Sequence, residues 1–518
     1  MSPGMASAAG GDRVEATARH EGLARAVGGW VVRHHRLCFV LVLALVAGNV
    51  FLDLGNSKVN DYDEARYGVS AFEMQQHQDF VVPTYAGRKE LWALKPPLGY
   101  WLMALSFALF GGSALAMRLP SALCAVAAAA VTMSFARRWF HRRLAILAGL
   151  IVATTFGYLS HHGARSGDFD SALTLILLLA AVQLPGLGVS PWRVVPLAAV
   201  FACGFLLKSF GIVPMLAVTG AYLLWSGDWR RQRPLPWLAA AGVFAAIVGG
   251  WAAARWHADG SPDFLLRMLR EDVVDRSTSI VDRSTSSPYG YLLALFDRFA
   301  PWPPLMLAAA AVVLRVRRPQ WLQHLRRGRI AGLLALWVAL PLTIVSLVRT
   351  QHHWYLDPIY PALAMVAAGS ALFLIKRMPE RLRGPAVIGL LVLPLTLCEA
   401  RLVGHVLLRD PMPASQRFLR ALKPAEATDC HAIRSTFALA YSERFILEVV
   451  DGFRVVEPAA GGRDRGAPAA DGTCLLVGKS AWRRPAAAVD PVPRGEVLLA
   501  DSASYAVYRP AGGPAVSR

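Results

Sequence analysis

The sequence predicts a polytopic α-helical membrane protein that carries a small α/β or α+β domain at its C-terminal end. Three observations carry that expectation: apolar runs long enough to cross a bilayer, basic clusters at alternate ends of those runs, and a change to strand-length apolar runs beyond residue 409. Of the 518 residues, 55% are hydrophobic and 17% charged, and mean hydropathy is +0.40. Soluble globular domains are less apolar and more charged than this.

The first apolar run, about 37–54, follows 36 mostly polar residues and no small-residue cleavage site follows it, so it reads as a retained anchor. Further spans fall at about 116–136, 144–161, 170–187, 194–207, 211–226, 235–256, 291–314, 330–348, 355–375 and 385–408, eleven in all. A hydrocarbon core of about 30 Å takes roughly 17 to 25 helical residues. The run 97–110 is half that length and lies between Pro96-Pro97 and Gly111-Gly112, which suits a helix lying in the outer interface.

The net charge of +19 is spread over short clusters between apolar runs, a pattern of membrane topology and not of nucleic-acid binding. Arg33/Arg36, Arg137/Arg138/Arg142/Arg143, Arg230/Arg231/Arg233, the basic run from Arg315 to Arg329, and Lys376/Arg377/Arg381/Arg383 all fall at alternate ends and mark the cytoplasmic side. Three regions follow: a cytoplasmic segment 1–36, a transmembrane domain 37–408 with a first outer loop 55–115 and a long outer loop 257–290, and a soluble outer domain 409–518.

In that last region, runs such as Phe453–Val456, Cys474–Val477 and Glu496–Leu499 have strand length, and the Gly/Ala/Pro/Asp-rich stretch 459–472 reads as a flexible loop. Cys38, Cys124, Cys203 and Cys398 lie in apolar runs. Cys430 and Cys474 lie outside them, in the domain placed in an oxidising compartment, and are expected to form a disulfide. The long outer loop holds a tandem repeat, Val274–Ile280 and Val281–Ser287, which reads as a duplication in a tolerant surface loop; if helical, it would put Arg276 and Arg283 on one face.

Ionisable residues crowd the outer side. The first loop carries Asp61, Asp63, Glu64 and Arg66, then Lys95; the turn before the fourth span carries Arg165, Asp168 and Asp170; Lys208 interrupts an apolar stretch; Arg349, His352 and His353 follow the ninth span. Charge beside hydrocarbon is costly unless it faces water or a partner. Acids at a helix start and a snorkelling lysine are the plain alternatives. Together, Lys95, Lys208 and Arg349 suit an anion site at the outer leaflet, with Asp63 and Asp170 as the acids beside it; a lipid phosphate is the natural anion at that depth. A metal on His352 and His353 is a weaker reading, because neighbouring side chains seldom point into one site.

The residues Asp63-Glu64-Ala65-Arg66-Tyr67, Lys95-Pro96-Pro97-Leu98-Gly99-Tyr100-Trp101-Leu102 and Arg118-Leu119-Pro120-Ser121-Ala122 resemble the first-loop signature of the lipid A aminoarabinose transferase and protein O-mannosyltransferase superfamily. Asp170-Ser171-Ala172-Leu173-Thr174 resembles its second acidic motif, Lys208-Ser209-Phe210-Gly211 its Lys-Gly turn, and Tyr355-Leu356-Asp357-Pro358-Ile359-Tyr360-Pro361 its Tyr-x-x-Pro-x-x-Pro motif. The resemblance spans about residues 37–375 and implies the GT-C fold in a bacterial inner membrane. It also implies inverting transfer of a sugar from a polyprenyl-phosphate donor to a lipid, glycan or protein acceptor on the periplasmic side. Under it Asp63 and Asp170 are the catalytic carboxylates, while Asp61, Glu64, Arg66, Lys95, Arg165, Asp168, Lys208, Arg349, His352, His353 and Tyr355 line the substrate site. A divalent metal is the one candidate cofactor, and Leu94 stands where these enzymes often carry an acid, which argues against a metal there. A transporter or lipid flippase is the rival class; it would place its charges near the midplane and show inverted repeats, whereas these charges crowd one side.

Overall fold

The computed structural model describes residues 26–90, 95–160, 162–280, 287, 289–315, 329–409, 411–422, 430–456, 473–479 and 497–509. Residues 1–25 of the N-terminal segment, Leu94, Arg283, the basic residues between 316 and 328, and the stretch 459–472 lie outside the described residues. The chain forms two compact units: Met1–Leu52 with Leu94–Gly99 and Ser121–His405, and Asp53–Ala93 with Tyr100–Pro120 and Val406–Arg518.

Each expected span falls on helix. Among the described residues seven helices are long and apolar enough to cross a membrane, and the bent pair Ala26–Arg33 and His35–Phe51 makes an eighth. The other differences are local. Two expected spans run together as one helical stretch, Pro191–Ser226, interrupted at Ser209, whose φ of 44° leaves the right-handed helical region. The span expected at 144–161 is split into Arg142–Thr154 and Phe156–Leu159, and that at 291–314 into Gly290–Arg298 and Trp302–Arg315, with Pro301 between them. The half-length run is the 13-residue helix Leu98–Phe110.

Some polar side chains inside the first unit pair across helices, which offsets the cost of burying them. Asn49 donates to the Ala153 carbonyl at 2.9 Å and to Glu399 at 2.8 Å. Trp337 donates its indole N–H to the Pro358 carbonyl at 3.0 Å, which fixes the segment carrying Tyr355 and Asp357.

In the second unit the helix Asp63–His77 is joined by the ribbon β1 (Thr84–Tyr85) and β2 (Arg88–Lys89). The sheet contains β3 (Ala432–Ser435), β4 (Arg454–Val456), β5 (Thr473–Gly478), β6 (Val497–Asp501) and β7 (Tyr505–Arg509), in the order β4-β3-β5-β7-β6. β3 is parallel to both its neighbours and β7 antiparallel to both of its own, so the domain is a mixed sheet. Cys430 and Cys474 form the expected disulfide, with Cα atoms 5.7 Å apart, and it ties the entry to β3 to the start of β5. Gln416 exchanges two hydrogen bonds with the Val59 backbone, at 2.9 and 2.8 Å, so the first loop and the region after residue 410 share one core.

Candidate functional site

In the first unit the cations that sequence placed at the outer leaflet meet carboxylates. The helix Val194–Lys208 ends at Lys208, and the positive φ of Ser209 turns the chain there; the ammonium reaches Asp170, in the first turn of Asp170–Leu187, at 2.5 Å. The same ammonium lies 6.0 Å from the centre of the Tyr355 ring, within range of the ring's negative face. Lys95 donates to Asp272 at 2.8 Å, and Ser209 donates to the other Asp272 oxygen at 2.5 Å. Arg276 stands 3.6 Å from Asp272 and donates to the Tyr355 hydroxyl at 3.0 Å. Lys95, Lys208 and Arg276 thus gather on Asp170, Asp272 and Tyr355, in a setting where side-chain exposure of Lys95 and Asp272 is only 10% each.

Burial pushes the Asp272 carboxyl up, but Lys95, the Ser209 hydroxyl and Arg276 outweigh it and hold the group below the ordinary aspartate range. Burial, followed by the charges of Arg276 and Lys208, pushes the His352 imidazole down from 6.5 to about 4. His352 stacks on Trp354 at 4.3 Å, and His162 stacks on the same indole at 3.8 Å. His162 also stands 2.9 Å from Asp168, a buried carboxylate. His353 meets the Trp354 ring edge-on at 4.8 Å. Both histidines after the ninth span are therefore parts of an aromatic cluster built on Trp354.

Spacing within the first unit depends on one glycine. A Cβ on Gly99 would fall 2.4 Å from the Phe169 ring, so the backbone four residues after Lys95 lies directly on the residue before Asp170. Ser121 adds two ties nearby: its hydroxyl donates to the Asp168 carbonyl at 2.6 Å, and its own carbonyl accepts from the Ser171 hydroxyl at 2.9 Å.

Other expected site residues have different places. Arg349 is exposed and joins neither the Lys95 nor the Lys208 cluster; the third cation is Arg276. Arg165 donates to the carbonyls of Asn49 and Val50 at 2.8 and 2.9 Å, capping the last turn of His35–Phe51. These two bonds tie the turn before the helix Asp170–Leu187 to the first span. Asp357 is 1% exposed, and among the described residues neither of its carboxylate oxygens has a hydrogen-bond partner.

In the second unit Asp63 opens its helix, after Tyr62 at a φ of 66°, a conformation uncommon for a residue with a side chain. Half-buried, its carboxylate sits in the first turn, where the helix dipole favours negative charge. Glu64 faces the interior: it accepts from Arg118 at 2.6 and 3.2 Å and from Asn60 at 2.7 Å, with side-chain exposure of 0%. Fully buried in a two-pronged ion pair, it links helix 63–77 to the start of helix 114–139. Arg66 forks onto Glu90 at 2.5 and 2.6 Å, with its third nitrogen 3.2 Å from the Tyr441 hydroxyl. Asp61 is exposed and accepts from the Ser442 backbone at 2.8 Å.

Sequence reading missed Asp272 and Arg276 as site residues. The signal was present: an acid and a base four apart in an outer loop beside membrane, the spacing at which helical side chains meet.

Comparison with known proteins gives this architecture relatives. The sequence pattern of the dolichyl-phosphate-mannose-protein mannosyltransferase family matches residues 94–251. The undecaprenyl phosphate-alpha-4-amino-4-deoxy-L-arabinose arabinosyl transferase of Pseudomonas aeruginosa is 29% identical over 407 residues, covering 73% of this chain and 67% of that one. The structure of ArnT from Cupriavidus metallidurans in the apo state superposes with a TM-score of 0.66 at 18% identity, covering 93% of this chain and 98% of that one. The same protein bound to undecaprenyl phosphate gives 0.65 at the same identity and coverage. The overall fold is therefore the GT-C fold that these structures share.

Proposed function

We propose that this chain, a polyprenyl-phosphate-sugar-dependent glycosyltransferase of the GT-C superfamily, moves an amino-pentose from undecaprenyl phosphate to a lipid A-type glycolipid on the periplasmic face of the inner membrane. The observation that carries the reading is the convergence of Lys95, Lys208 and Arg276 on Asp170, Asp272 and Tyr355 in the first unit. The sugar and carrier are suggested by the transferase of P. aeruginosa, and the side by the alternation of basic clusters.

A glycosyl phosphate already carries a good leaving group. The acceptor oxygen attacks the anomeric carbon from the face opposite the carrier oxygen; the new glycosidic bond forms as the carbon–oxygen bond to phosphate breaks, and the configuration inverts. The developing charge on the phosphate needs fixed cations, which Lys95, Lys208 and Arg276 supply. Asp170 keeps the Lys208 ammonium charged and aimed. A hydroxyl acceptor must lose its proton, and Asp63 takes it; no second acid is needed, unlike in a glycosidase.

The full chain in proteoliposomes, given labelled undecaprenyl-phosphate 4-amino-4-deoxy-arabinose and lipid A, should produce labelled lipid A with inverted anomeric configuration. Label that crosses the bilayer still attached to its carrier, with no transfer, would make the protein a flippase.

A further inference from the structure

The site's cations are already held by an anion belonging to the chain. Asp272 lies in the helical turn Arg270–Asp275 of the long loop, and three side chains converge on it, two from elsewhere in the chain, Lys95 at 2.8 Å and Ser209 at 2.5 Å, and one four residues on, Arg276 at 3.6 Å. That geometry is a built oxyanion position, two charged donors and a hydroxyl around two oxygens, and a phosphate presents the same acceptors to the same donors. The carboxylate is well ionised, because those donors hold its proton affinity below the ordinary aspartate range.

We propose that Asp272 is an internal stand-in for the carrier phosphate: with the donor absent it fills the anion position of Lys95, Ser209 and Arg276, and the phosphate displaces it. The inference rests on the reading of Lys95 and Arg276 as ligands of that phosphate.

The chain that follows Asp272 is anchored by hydrogen bonds. On the far side of the segment, Thr350 donates its backbone N–H to the Arg276 carbonyl at 3.1 Å and its hydroxyl to the Ser279 carbonyl at 2.9 Å. Arg276 also donates to Tyr355 at 3.0 Å. Arg276 is thus anchored in the site whether or not Asp272 stays, and the turn Arg270–Asp275 swings on that anchor. Lys95 and Arg276 without a counter-anion would be costly to keep largely buried, so the stand-in stabilises the empty site. It also helps the end of the cycle. The leaving carrier phosphate gains negative charge and would bind more tightly than the donor did; Asp272, returning to its three partners, displaces it.

A competing internal anion lowers apparent affinity by the fraction of time it occupies the site, so occupancy of about nine-tenths weakens binding about tenfold. The probe is undecaprenyl phosphate itself, titrated against the full chain in nanodiscs, with association and dissociation rates resolved. Asp272→Asn should bind it about tenfold more tightly, with slower dissociation carrying part of the gain. Unchanged or weaker binding would overturn the proposal, because an Asp272 that only positions Lys95 has the opposite sign. The wild-type chain supplies a readout that needs no variant: saturating undecaprenyl phosphate should speed backbone amide exchange over Arg270–Asp275, and slower exchange there would overturn the displacement. Lys95→Ala separates this inference from its premise. Affinity lost in Lys95→Ala but not gained in Asp272→Asn sinks the stand-in alone; affinity unaltered in Lys95→Ala sinks the phosphate site and the stand-in with it.

Discussion

The ammonium of Lys208 and the carboxylate of Asp170 lie 2.5 Å apart, each the other's partner, with side-chain exposures of 18% and 6%. Removing one charge from such a pair leaves the other buried alone, which typically costs about 3 to 5 kcal/mol. Lys208→Met should therefore lower thermal stability in detergent markedly, and adding Asp170→Asn to it should recover most of that loss while donor binding stays weak. Thermal unfolding of the two single variants and the double, read beside donor affinity, measures both effects; a double variant no more stable than Lys208→Met would show that the pair is not coupled.

Asp63→Asn keeps the shape of the side chain and removes the proton acceptor. With a hydroxyl acceptor, transfer should fall about a hundred- to ten-thousand-fold with donor affinity intact, the range expected for losing a general base. Initial rates on lipid A alongside carrier-binding curves check this. Full activity in Asp63→Asn beside an inactive Asp61→Asn or Asp170→Asn would move the base.

Glu64 and Arg118 are buried together at 0% and 1% side-chain exposure, and Arg118 also donates to the Leu54 and Lys58 carbonyls at 2.6 Å each. Arg118→Ala should cost about 3 to 5 kcal/mol of stability by stranding the Glu64 charge. Its signature is loss of folded protein in size-exclusion profiles. A variant of normal stability and no activity would instead put Glu64 in the substrate site.

Stability should fall with acid in a defined window. The His352 imidazole takes a proton at about 6.5 in the unfolded chain and only at about 4 when folded. Between those values the unfolded chain binds more protons, so the contribution of His352 is complete above pH 6.5 and is lost as pH falls toward 4. His352→Phe, which keeps a ring to stack on Trp354, should flatten the melting temperature over that window; a wild-type slope persisting in the variant would assign it to another group.

The apolar runs and their basic flanks made the helical architecture legible, because bilayer thickness and loop charge act on single segments. Lys95, Lys208 and Asp170 were legible for a related reason: charge next to hydrocarbon stands out against its neighbours. What sequence does not carry is direction. Arg349 and Arg276 lie in loops that sequence alone does not rank, yet of the two it is Arg276 that reaches Asp272, because Thr350 and Tyr355 hold it there. Glu64 sits one residue from Asp63 but points inward at Arg118, a contact made across 54 residues of chain. The break inside the span expected at 144–161 was hidden for the opposite reason: Thr155 leaves the helical conformation without being a glycine or a proline.

The contact of Gly99 with the Phe169 ring places a single aromatic thickness between the backbone that leads from Lys95 and the helix that begins at Asp170. That ring works as a spacer gauge. Two charged motifs more than sixty residues apart in sequence are calibrated against each other by one contact in which neither charge takes part. A methyl group at position 99 would have to displace the ring or the backbone, so its effect would register as misalignment of Lys95 and Asp170, although the substituted residue itself is uncharged and makes no part of the chemistry.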